Sequence, residues 1–123
     1  ITASLASVDG PRPTVRVAGA GTFGTPPRSI WARVAPDEAL GRLHGRIGRA
    51  LRCAGIASDA RAFVPHITLA RLPRSAWLNP DRLGRLAGLT SAPFVIDQFE
   101  LYESHLTRDG AHYDAVERYP LSR

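Results

Sequence analysis

Residues 63–72 read FVPHITLARL, and within them His66-Ile67-Thr68-Leu69 sets a histidine and a threonine two positions apart. In a strand, side chains at i and i+2 share a face and lie roughly 6.5 Å apart along it. His66 and Thr68 therefore look one way, while Ile67 and Leu69 look the other. Pro65 removes one ladder donor, which puts the start of this strand at an edge or a bulge. An imidazole exchanges a proton near neutral pH, and a nearby hydroxyl can donate to a phosphate oxygen. Together they suit a reaction in which water attacks phosphorus and an ester oxygen leaves. In-line displacement wants a base on one side and an acid on the other, each contributing about 10²–10⁴-fold. One such pair supplies half of that.

The rest of the chain sets the frame. Its 123 residues suffice for one domain with one modest core, and residues 1–123 are read as such. The content of 44% apolar and 22% charged residues is that of an ordinary globular protein. There is no apolar run of 18 residues, and ITASLASVDG lacks the basic start and apolar stretch of a signal peptide. The expectation is a cytoplasmic protein without a membrane partner. Cys53 is the single cysteine, which excludes an internal disulfide and a multi-cysteine zinc site; beside Arg52 on a helix, it reads as a small buried residue. Net charge is +5 and all sixteen basic residues are arginine. Arginine suits bidentate recognition of phosphate and stacking on bases, so an RNA or nucleotide partner fits the balance. The lysine deficit by itself reflects a coding bias as readily.

Residues 13–19 alternate as a short strand, a glycine- and proline-rich loop GAGTFGTPPR follows, and 29–35 form the next strand. The clearest helix opens at Pro36-Asp37-Glu38, carries Leu40, Leu43, Ile47 and Leu51 at helical spacing, and ends at Gly55. The strand 63–71 comes next, then a short helix capped at Asn79-Pro80-Asp81 and running to about Leu89. Strands over 93–104 and 111–119 close the chain, joined by HLTRDG with its Asp109-Gly110 turn signal. The order β-β-α-β-α-β-β gives an α+β fold. Gly19-Ala20-Gly21-Thr22-Phe23-Gly24 fits G-x-G-x-x-G, yet Thr25-Pro26-Pro27 and a strand follow where a dinucleotide site needs a helix N-terminus.

Phe63-Val64-Pro65-His66-Ile67-Thr68-Leu69-Ala70-Arg71 resembles the second signature of the 2H phosphoesterases, and within them the RNA 2′,3′-cyclic phosphodiesterases, also called 2′-5′ RNA ligases. Val15 to Phe23 is similar to the family's strand and turn ending in G-x-G-x-F. Ser29-Ile30-Trp31 resembles its next strand, and Phe99-Glu100-Leu101-Tyr102-Glu103-Ser104 its near-terminal one; Gly110, Tyr113 and Pro120-Leu121 fit the ending. The resemblance implies a two-lobed α+β fold with antiparallel sheets, flanking helices, a groove between the lobes and one H-x-T pair on each. It implies hydrolysis of RNA 2′,3′-cyclic phosphate ends to 2′-phosphates, with 2′-5′ ligation as the reverse. It implies no metal and no cofactor, since two imidazoles cover the acid and base roles. His66 and Thr68 are the expected catalytic pair. Arg71 is a phosphate-binding candidate, although strict alternation turns it to the opposite face unless a twist or bulge intervenes.

The first H-x-T pair of that pattern is expected before Ile1, in an N-terminal part that the chain lacks. His105-Leu106-Thr107 is a literal H-x-T, but it reads as part of a hairpin turn, with Arg108 where the motif wants leucine. His44 reads as a solvated helix residue and His112 as packing or surface. The alternative to an enzyme is a non-catalytic RNA- or nucleotide-binding remnant of the same fold. A monomer is expected.

Overall fold

The computed structural model describes residues 1–57 and 62–122. In chain order the elements are α1 (Thr2–Ala6), β1 (Thr14–Val15), β2 (Val17–Phe23), β3 (Ser29–Val34), α2 (Glu38–Cys53), β4 (His66–Arg71), α3 (Pro80–Leu86), β5 (Phe94–Val95), β6 (Gln98–Thr107) and β7 (Gly110–Pro120). The α+β class expected from the sequence is what forms. The chain divides into two compact units, one drawn from Ile1–Pro13, Glu38–Arg61 and Val95–Arg123, the other from Thr14–Asp37 and Ala62–Phe94.

In the first unit the apolar stripe of α2 supplies the core. Leu43 is buried with Val8 and Leu121, and Ile47, Ala50 and Phe99 pack against them. Such burial of apolar surface is the main favourable term holding the helix down, because a helix of this length is marginal alone. The helix stops where the sequence says it should. Gly55 adopts φ +82, its N–H bonds the carbonyl of Arg52, and the next N–H, of Ile56, reaches back to Leu51 at 2.9 Å. This is a Schellman closure, which needs a residue that tolerates the left-handed region.

Strands β6 and β7 form an antiparallel hairpin in register from Gln98↔Pro120 to Thr107↔Gly110. The turn is only two residues, Arg108 and Asp109, so the loop expected over HLTRDG is mostly strand. Gly110 at φ +114 allows the tight reversal, and the Thr107 hydroxyl donates to the Gly110 carbonyl at 2.9 Å. Phe99 and Tyr119 stack across the ladder with ring centres 4.8 Å apart.

The second unit holds the sheet β2-β3-β4, antiparallel throughout, with β3 in the middle. Ala32 and Val34 are buried on one face of β3. The outer edge of β2 is closed by the segment after α3: Gly19 N–H bonds the Leu89 carbonyl at 2.7 Å, Ala18 bridges Thr90, and the Val17 N–H donates to the Ser91 hydroxyl. Asn79 caps α3 by accepting from the Asp81 N–H at 2.9 Å, as its sequence setting predicts. The run GAGTF, read as the start of a loop, is strand instead. Its pairing with β3 continues to Phe23↔Ser29, so cross-strand partners override the weak strand preference of glycine.

Candidate active site

Directly opposed residues of an antiparallel pair project to the same face, so the register between β3 and β4 places each candidate. Arg33 is opposite His66, and Trp31 is opposite Thr68. The alternation expected from the sequence holds for that pair. Beyond Thr68 the ladder shifts: Ile30 pairs Ala70 and Ser29 pairs Arg71, leaving Leu69 as an extra residue on β4. This bulge resets the alternation. Arg71 therefore shares the face of Ser29, Trp31 and Arg33, and with it that of His66 and Thr68. The bulge that the sequence reading required for Arg71 is present.

Strand β2 adds Gly21, opposite Trp31, and Phe23, opposite Ser29, to the same face. The face thus carries Gly21, Phe23, Ser29, Trp31, Arg33, His66, Thr68 and Arg71. Among the described residues it contains two guanidiniums, an imidazole and two hydroxyls, and no carboxylate. His66, Thr68, Arg33 and Arg71 are all exposed. An anion with several oxygen acceptors is the ligand chemistry that fits.

His66 is held from two directions. Its Nδ1 lies 2.7 Å from the Val64 carbonyl oxygen. A carbonyl only accepts, so Nδ1 carries the proton and Nε2 of the neutral ring keeps its lone pair. The Pro65 carbonyl in turn accepts from the Val34 N–H at 3.1 Å, tying the approach to β4 onto β3. On its ring side, His66 meets Phe23 edge to face, with centres 5.0 Å apart, and Trp31 at 5.9 Å. Nε2 is thereby the atom left to take a proton, and to give one back when the ring is cationic.

The second literal H-x-T is placed differently from expectation. His105 and Thr107 lie within β6, not in the turn, because the hairpin ladder runs to Thr107↔Gly110. Their chemistry is nonetheless engaged locally. His105 Nε2 lies 3.2 Å from Glu103 and 3.4 Å from Asp114, and the Thr107 hydroxyl serves the turn. His112 stands opposite His105 and His44 is exposed on α2. Cys53 is exposed rather than buried, as it falls off the Leu43 stripe; it borders a cavity of about 460 Å³ with Arg46 and Arg49. Among the described residues no three His, Cys, Asp or Glu side chains gather as a metal site, and no helix is long and apolar enough to cross a membrane.

Arg33, Trp31 and Phe23 were not singled out as site residues by the sequence. Period 2 along SIWARVA puts Trp31 and Arg33 on one face, but which strand that face joins is decided by pairing.

The sequence pattern of the 2′-5′ RNA ligase superfamily matches residues 1–108. The chain belongs to the 2′-5′ RNA ligase superfamily. An RNA 2′,3′-cyclic phosphodiesterase of Geobacillus stearothermophilus is 32% identical over 111 residues, covering 88% of this chain and 35% of the relative. One of Aeropyrum pernix is 29% identical over 117 residues, covering 91% of this chain and 66% of the relative. The chain thus spans about a third of the first relative and two thirds of the second. In structure, E. coli LigT complexed with 3′-AMP superposes with a TM-score of 0.75 at 22% identity, over 99% of this chain and 67% of LigT. The fold of this 2′-5′ RNA ligase superfamily chain is the antiparallel α+β fold of the 2H phosphoesterases.

Proposed function

We propose that this protein hydrolyses 2′,3′-cyclic phosphate ends of RNA to 2′-phosphates. Water adds to phosphorus, the P–O3′ bond breaks, and O3′ leaves with a proton. His66 serves through Nε2 as the acid or base on one side of the phosphorus. Thr68 donates its hydroxyl to a phosphate oxygen, and Arg71 offsets the charge that builds on the phosphoryl group. With a 5′-hydroxyl end in place of water as the nucleophile on the cyclic phosphate, the same P–O3′ cleavage, with O3′ leaving as a hydroxyl, would give a 2′-5′ phosphodiester, a ligation.

The observation that carries this reading is the face on which β4 presents His66, Thr68 and, past the bulge, Arg71, with Nδ1 engaged and Nε2 left for chemistry. The family and its RNA-phosphodiesterase relatives support the same substrate class. The reaction also needs a second proton carrier. In this reading it is another H-x-T pair, from the part of the relatives' length that this chain does not span.

The test is incubation of the full-length protein with a 2′,3′-cyclic nucleotide, followed by phosphorus NMR of the product. A 2′-monophosphate is expected. Recovery of the 3′-monophosphate, or RNA binding with no product at all, would contradict the reading; the latter would favour a binding module of the same fold.

A further inference from the structure

The run Gly19-Ala20-Gly21-Thr22-Phe23-Gly24 opens no helix, so it cradles no dinucleotide, yet its composition is used. A Cβ placed on Gly21 would lie 2.5 Å from Cη2 and Cζ2 of Trp31, far inside the 3.5–4.0 Å at which carbons rest. The indole of Trp31 therefore lies against bare backbone of β2, its opposite strand. Its Nε1 is buried without a hydrogen-bond partner among the described residues, so packing and not a polar anchor sets where the ring sits. Phe23 meets that indole at 5.0 Å, and both rings border the imidazole of His66.

We propose that Gly21, Trp31 and Phe23 are positioning residues for His66. Gly21 admits the indole, the indole sets Phe23, and the two rings fix the plane of an imidazole whose Nδ1 is already tied to Val64. None of the three is assigned a contact with the reacting atoms. Gly21 sits two strands away from His66, and its effect reaches the imidazole only through Trp31. The inference rests on the acid–base role of His66 proposed above.

Two measurements on the full-length protein test it. The first is the kinetics of Gly21→Ala on a 2′,3′-cyclic nucleotide. We expect kcat to fall about tenfold or more, as displacing a reacting group by a fraction of an ångström does. KM should stay within about twofold, since substrate contacts are untouched. Adding Trp31→Phe, which removes the part of the ring that the new methyl meets, should restore most of the loss. The second is nitrogen NMR of the labelled imidazoles, with His66 assigned by its loss in His66→Ala. The wild-type ring should be the Nδ1–H tautomer and Gly21→Ala should lose that preference. A wild-type kcat in Gly21→Ala, a loss carried by KM, or no recovery with Trp31→Phe would overturn the proposal. Should Gly21→Ala fail to fold, Phe23→Leu makes the same test, with recovery in Phe23→Tyr. If His66→Ala keeps full turnover, the catalytic reading fails. The NMR comparison then still decides the positioning: an unchanged tautomer in Gly21→Ala overturns it.

Discussion

Thr68 illustrates how far a single side chain can be read. Its spacing from His66 fixes a shared face by the two-residue period of a strand, and the pairing Trp31↔Thr68 puts the aromatic residues of β3 and β2 on that same face. If its hydroxyl donates to a charged phosphate oxygen, Thr68→Ala removes a bond worth about 1.5–3 kcal/mol, and kcat/KM on a cyclic nucleotide should drop about ten- to a hundredfold. Thr68→Ser should keep most of the rate; equal losses in both variants would point to packing instead. Arg71 was harder to read, because a bulge at Leu69 leaves no mark in a run as regular as HITLAR. Arg33 was hidden for a related reason: its neighbour His66 is 33 positions away in the chain, and only strand pairing brings them together.

Glu100 makes a pH prediction at the same scale. The Tyr102 hydroxyl, then the Arg118 guanidinium at 2.9 Å, hold its carboxyl below the ordinary carboxylate value of 4.5. A lowered folded-state pKa means that the stabilisation is present at pH above about 4.5 and is lost as pH falls through the lowered value. Melting temperature measured between neutral and acid pH should therefore fall less steeply for Glu100→Gln than for the wild type. Parallel curves would show that the network adds no pH-dependent stability.

At the scale of elements, the helix ends were the most legible features. Gly55 and Asn79 each do what their type and position announce. Gly55→Ala forces a Cβ into the left-handed region and should cost about 1–2 kcal/mol in denaturant unfolding. Asn79→Ala removes an N-cap and should cost about 1 kcal/mol. An unchanged midpoint for Gly55→Ala would mean that the Schellman turn of α2 does not persist in solution. Strands were less legible. β2 runs through Gly19 and Gly21, residues that weaken a strand on their own, and it holds because β3 pairs with it and Trp31 occupies the space that Gly21 leaves. His105-Leu106-Thr107 was placed in the turn because Asp109-Gly110 punctuates it. A two-residue turn lets the ladder run further than that punctuation suggests, and local bonds to Glu103, Asp114 and Gly110 engage both polar side chains.

At the scale of the whole molecule, two compact units each carry their own sheet, and composition alone announced neither their number nor their make-up. The unit built on α2 depends on few buried side chains. Leu121 is 1% exposed beside Leu43 and Val8, so Leu121→Ala should destabilise that unit by about 2–5 kcal/mol, read from its unfolding transition. The chain's arginine-only basic residues and the β4 face of His66, Thr68 and Arg71 agree with the phosphate-bearing substrate proposed above, and two relatives are RNA 2′,3′-cyclic phosphodiesterases. In the proposed reaction His66 carries a proton. The most direct measurement is the turnover of a 2′,3′-cyclic nucleotide by full-length wild type and His66→Ala, both checked for equal folding. A loss of about 10²-fold or more in kcat is expected for the variant. Turnover equal to that of the wild type would contradict it.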